Sequence, residues 1–127
     1  MKKRNKMKKI VLILILIFSI VSLMAFEDLT KENFDEKVKG KNSIVKFHAV
    51  WCTACDVLEA NMEELDQKKL GVTIYGVDID HQMGIAKKYG VTMLPTTLYL
   101  KDGKVMESEV GIRSTDELRT SIKNTYN

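Results

Sequence analysis

The chain has 127 residues, 45% of them apolar and 29% charged, enough for one domain with its own core, and it shows no internal repeat or low-complexity stretch. Its formal charge of +3 does not describe the folded part: six of the twenty basic residues and no acidic one lie in Met1 to Lys9. Without residues 1–25, fourteen basic residues face seventeen acidic ones, a net charge of −3, which gives no support to nucleic-acid binding.

The basic start runs into an apolar stretch from Ile10 to Ile17 that continues to Phe26 with Ser19 and Ser22 interrupting it. This is the pattern of an export signal, with Leu23-Met24-Ala25 offering Ala at the −1 position of a cleavage site. Residues 1–25 are thus expected to be a signal peptide. The alternative is an uncleaved anchor formed by residues 10–26, slightly short of the roughly 20 apolar residues that a spanning helix needs. The expected location is periplasmic or otherwise extracytoplasmic, with residues 26–127 as the folded domain.

Phe26 to Asp28 offers a short first strand. Thr30 is placed to cap a helix, with Leu29 and Phe34 as a hydrophobic staple, Val38 on the apolar face and Gly40 at the end. Ser43 to Ala49 reads as a buried strand (Ile44, Val45, Phe47) running into Trp51-Cys52. A second helix follows with Cys55, Leu58, Met62 and Leu65 on one stripe. Val72 to Val77 is a second apolar strand. Asp80 is a candidate cap for a short helix carrying Ile85 and Ala86, with Lys87 and Lys88 in its last turn and Gly90 beyond. Thr96–Leu100 and Lys104–Val110 form a hairpin closed by Asp102-Gly103, and Glu107 and Glu109 suit a charged edge strand. Ser114-Thr115-Asp116-Glu117 is a capping box opening a last helix with Leu118 and Ile122 inward. The order, β-α-β-α-β-α-β-β-α, predicts an α/β domain.

Cys52 and Cys55 are the only cysteines. A bridge across two intervening residues constrains the unfolded chain little, so the pair is better placed for chemistry than for stapling. A strand delivering Cys52 to a helix start puts it where unpaired N–H groups and the positive helix end stabilise a thiolate, which predicts Cys52 as the nucleophile. Cys55, one turn deeper on the same side, is the resolving thiol. Trp51 would shield the pair and offer apolar contact to a peptide.

From Val45 through Trp51-Cys52-Thr53-Ala54-Cys55, and again at Met93-Leu94-Pro95-Thr96, Gly90-Val91 and Val110-Gly111-Ile112, the sequence resembles the thioredoxin superfamily over essentially all of residues 26–127. The resemblance implies a three-layer α/β/α sandwich around a central mixed sheet, and a monomer that works without cofactor or metal. It implies a cis Pro95 facing the cysteines and a substrate-binding set of Trp51, Leu94, Pro95 and Gly111, with the Leu94 backbone pairing with the bound peptide. The implied activity is dithiol–disulfide exchange on exported, disulfide-containing proteins. The reducing or isomerising direction is expected, fed by a membrane thiol electron donor; a mild oxidant is the alternative. Cu(I) ligation by the two thiolates is a weaker rival, because the proline should exclude metal.

Four candidate tuning residues depart from the pattern. Lys46 stands where the family often has a buried acid, and the lysine that commonly partners that acid would fall near Gly76. Lys46 is expected to reach solvent; the alternative is a base whose pKa is lowered by desolvation. Asp56 replaces a frequent lysine or arginine, and its carboxylate would oppose a Cys52 thiolate while suiting the first helical turn. Thr53 and Ala54 lack the histidine of strong oxidants, which argues against a strongly oxidising potential. His48 is expected to pack and His81 to be solvated.

Overall fold

The computed structural model describes residues 2–23 and 26–127. The first element is a 22-residue helix, α1 (Lys2–Leu23). Among the described residues no helix is long and apolar enough to cross a membrane. The cleavage site expected after Ala25 lies outside the described residues.

The rest follows in the order β1 (Glu27–Asp28), α2 (Phe34–Val38), β2 (Asn42–His48), α3 (Thr53–Glu63), α4 (Gln67–Leu70), β3 (Thr73–Asp78), α5 (Met83–Lys88), β4 (Thr96–Lys101), β5 (Lys104–Val110) and α6 (Thr115–Tyr126). The sheet order is β1-β3-β2-β4-β5. The first three strands are parallel, and β4 and β5 run antiparallel to their neighbours, so the sheet is mixed as expected.

Strand β2 shows why the chain makes three layers: successive side chains point to opposite faces. Val45 and Phe47 join Phe34 and Val38 of α2 and Ile85 and Ala86 of α5 in one cluster. Ile44 joins Leu58 and Met62 of α3 and Leu118 and Ile122 of α6 in the other. The hairpin turn takes positive φ at both Asp102 (49°) and Gly103 (78°), the geometry that a two-residue turn between twisted strands requires. Helix α6 opens on the capping box of Ser114 and Glu117. It closes on Tyr126, whose hydroxyl lies 2.9 Å from Ser43 O and 3.0 Å from Leu100 O, and burial pushes that phenol up to about 12.

Local details differ from the expectations. Helix α2 begins at Phe34 and not at Thr30, because Asn33 Oδ1 accepts the Thr30 N–H at 2.8 Å and residues 31–33 form a turn; Leu29 and Phe34 are nevertheless buried together. Asp80 does not cap α5, whose start makes no side-chain cap bond. Helix α4 was not foreseen; Asp66 accepts the Lys69 N–H and Gly71, at φ 68°, ends it. Glu107 is exposed on β5, but Glu109 is not a solvent-facing guard of the edge. Its carboxylate accepts from Tyr99 Oη at 2.9 Å and from Ser121, and lies 3.3 Å from Arg113 Nε, drawing β5 toward α6.

Candidate active site

The two cysteines sit where β2 hands over to α3. Ala49 O accepts the Cys52 N–H at 3.1 Å, a tight turn that lifts Cys52 out of the sheet and leaves it at the N-cap of the helix. Its Sγ accepts the Cys55 N–H at 3.2 Å, so the sulfur occupies the position where a capping oxygen would satisfy a free helical N–H. Cys52 and Cys55 form a disulfide with Cα atoms 5.3 Å apart. Cys55 is the deeper of the two, 2% exposed against 8% for Cys52.

Ala49 completes a small buried cluster with the pair, and Ala54, Ile79 and Leu94 pack on it. The Leu94–Pro95 peptide is cis, as the resemblance implied. Pro95 O accepts the Gly111 N–H at 2.9 Å, which ties the loop after β5 to the loop before β4; Gly111 has φ 97°, a conformation open to glycine. Trp51 is 66% exposed, and its indole N–H donates to Asp80 at 3.0 Å. That bond accounts for Asp80, which sequence reasoning assigned to a helix cap. Among the intervening and following residues, Thr53 and Asp56 are exposed and Ala54 is half-buried.

Lys46 corrects the expectation most clearly. It does not reach solvent: it is 1% exposed, and its ammonium forms an ion pair with Glu59 of α3, with the Phe26 ring 5.9 Å away. Glu59 was missed because a glutamate amid other acidic residues on an amphipathic helix reads as solvated. The available signal was the lysine itself, since a cation in an apolar strand requires a nearby counter-charge.

His48 also does more than pack. Its Nε2 lies 2.7 Å from Asp28 Oδ1, and this pair fills the space beside Gly76. A Cβ on Gly76 would lie 2.2 Å from Asp28 Oδ1 and 3.0 Å from His48 Nε2, so no larger residue fits there while the pair is made. At the strand end, Asp78 faces His48 in the β2–β3 register. Burial pushes the Asp78 carboxyl up, but His81 Nδ1 at 3.0 Å and the Asp80 N–H at 2.9 Å outweigh it and hold the group below its ordinary range. His81 is exposed as expected, although it is paired with Asp78.

A redox-active cysteine pair at a helix start, beside a cis-proline in a β1-β3-β2-β4-β5 sheet, defines a thiol–disulfide oxidoreductase of thioredoxin-like fold. Comparison with known proteins agrees. Residues 25–124 match the family model described as Thioredoxin. The chain is 36% identical over 101 residues to thioredoxin from Bacillus subtilis (strain 168), covering 78% of this chain and 96% of that one. It is also 36% identical over 89 residues to a thioredoxin from Chlamydia trachomatis, covering 70% and 87% respectively. Its fold is similar to the crystal structure of Malassezia sympodialis thioredoxin, with a TM-score of 0.69, 24% identity, and coverage of 80% of this chain and 90% of that one. The chain belongs to the thioredoxin family.

Proposed function

We propose that this chain reduces or isomerises disulfides of exported proteins outside the cytoplasm, with Cys52 as nucleophile and Cys55 as resolving thiol. The observation that carries the assignment is the placement of Cys52 Sγ at the N-cap of α3, above a nearly inaccessible Cys55. In the reduced pair, the helix N–H groups and the positive helix end favour a Cys52 thiolate, which attacks a substrate disulfide; Cys55 then displaces the substrate. Leu94, which packs against the pair, would receive the peptide together with Trp51, Pro95 and Gly111, with Trp51 supplying exposed apolar surface.

The basic and apolar N-terminal stretch supports export, either by cleavage after Ala25 or with residues 10–26 retained as an anchor. A protein of this kind would draw electrons from a membrane thiol donor. The reducing direction is supported by Thr53 and Ala54, which add no positive charge between the cysteines, and by the exposed carboxylate of Asp56 in the first helical turn.

Insulin reduction driven by dithiothreitol tests the chemistry. Turnover by the full chain and its loss in Cys52→Ser are expected; equal activity in that variant would remove Cys52 from its role. A reduction potential near about −270 mV would mark a reductant, and one near about −120 mV an oxidant. Cell fractionation with N-terminal sequencing tests export, and protein retained in the cytoplasm would overturn it.

A further inference from the structure

Strand β5 is exposed along its length except at Glu109, just before the loop Val110-Gly111-Ile112. None of its apolar side chains is buried; its one inward group is a carboxylate, 9% exposed. Taking a carboxylate out of water is costly, and an apolar residue would dock the strand there at lower cost. The charge is met from several elements. Tyr99 Oη of β4 donates to it at 2.9 Å; burial first, and the bond to Glu109 second, push that phenol up, so it stays protonated and keeps donating. Ser121 of α6 donates to the other oxygen. Arg113, beyond the loop, places a buried Nε 3.3 Å from Glu109 Oε2 without the alignment of a hydrogen bond, so this attraction is Coulombic. The far end of the loop is fixed as well: Asn61 Nδ2 of α3 donates to Arg113 O at 2.9 Å, and Thr115 Oγ1 lies 3.1 Å from Asn61 O. Between these anchors the Gly111 N–H donates to Pro95 O at 2.9 Å, while Val110 and Ile112 stand 55% and 49% exposed.

We propose that Glu109 and Arg113 are positioning residues for peptide recognition: their ion pair across the loop holds Gly111 on Pro95, so that a peptide disulfide meets a rim already formed. This rests on the reading of Pro95 and Gly111 as part of the peptide-receiving rim. Without the ion pair, residues 110–112 sample other conformations, and a peptide must order them as it binds. A small disulfide that does not reach the loop bears no such cost. The residues packed on the cysteines are Ala49, Ala54, Ile79 and Leu94, so the clamp acts on peptide affinity and leaves the exchange step as it is. Glu117, whose Oε2 lies 3.9 Å from Arg113 Nη1, is a weaker, exposed partner already engaged in the capping box of α6.

The test separates binding from chemistry. The detergent-solubilised, reduced full chain is mixed with rising concentrations of either a disulfide-cyclised apolar peptide or hydroxyethyl disulfide, and its oxidation is followed by Trp51 fluorescence. Glu109→Gln still accepts from Tyr99 but loses its attraction for Arg113. This variant and Arg113→Met are each expected to raise the half-saturating peptide concentration about fivefold, with the maximal rate and the reaction with hydroxyethyl disulfide unchanged. Arg113→Lys, which keeps the charge, should regain most of the loss. In the same variants the Gly111 amide should exchange with solvent about tenfold faster, read by two-dimensional NMR. Equal slowing toward both disulfides, or Gly111 exchange that ignores both substitutions, overturns the proposal. Should Glu109→Gln fail to fold, Arg113→Met decides alone, since the Arg113 side chain is 37% exposed and tolerates the change. The exchange measurement uses no substrate, so an unsubstituted protein that reduced neither disulfide would count against the thiol–disulfide reading, and the clamp would still be read at Gly111.

Discussion

The two faces of strand β2 carry opposite chemistry. On one, Val45 and Phe47 meet α2 and α5 in a cluster built from Leu29, Tyr75, Val77, Leu98 and Leu100. On the other, beyond Ile44, Lys46 pairs with Glu59 and His48 with Asp28. Adjacent residues of one strand, Phe47 and Lys46, are 0% and 1% exposed, yet the first is held by dispersion and exclusion of water and the second by a counter-charge. The apolar face anchors the sheet. The polar face runs under the cysteine helix, where a buried charge costs stability and requires a counter-charge.

The contrast is sharpest for Phe47. Truncation to Ala at a fully buried aromatic removes transfer free energy and leaves a cavity, with an expected loss of about 3–5 kcal/mol. Urea unfolding monitored by circular dichroism measures it. A loss below about 1 kcal/mol would show that the α2–α5 face is not the main anchor.

Gly76→Ala probes the polar face with a smaller expected effect. The added Cβ would meet Asp28 Oδ1 at 2.2 Å, but Asp28 is half-exposed and its side chain can swing away, so the backbone is not forced to move. What is lost is the His48–Asp28 pair, worth about 1 kcal/mol or less for a partly exposed interaction. Combining Gly76→Ala with Asp28→Ala separates the two explanations. If the clash with the carboxylate is the main cause, most of the cost of the added Cβ disappears once Asp28 has been shortened, leaving only its close approach to His48 Nε2 at 3.0 Å.

Much of the framework was legible in the sequence because it is local. Asp102-Gly103 declares its turn, Ser114 and Glu117 their capping box, and the apolar run before Trp51 its strand. The cysteine pair was read from its spacing at a strand-to-helix junction and the cis Leu94–Pro95 bond through resemblance, and the structure brings them together through Leu94. The misreadings concern residues whose partners are distant in sequence. Glu109 follows edge-strand alternation, but Tyr99, Arg113 and Ser121 converge on it once the hairpin lies against α6. Lys46 resembled a solvent-reaching departure until Glu59 was placed over it. Gly76 read as the loss of a lysine; its lack of a side chain is what admits the His48–Asp28 pair. Asn33 displaced Thr30 from its expected role through a three-residue turn that competes closely with a helical start.

Asp78 offers the smallest effect and the finest test of the polar face. Its carboxyl is held below its ordinary range because hydrogen bonds from His81 and the Asp80 backbone outweigh burial. A carboxyl with a folded pKa below its unfolded value binds its proton more readily when unfolded. Its contribution to stability is therefore complete above the unfolded value of about 3.9 and disappears as the pH falls through the lower, folded value. Asp78→Asn should remove that part of the acid-side slope while leaving the slope between pH 5 and about 7 governed by the remaining groups. Urea midpoints measured from about pH 2 to pH 7 for both proteins check it. Parallel curves below pH 4 would mean that the carboxylate gains nothing from His81 and Asp80. The strand end beside His48 would then be held by the sheet register alone.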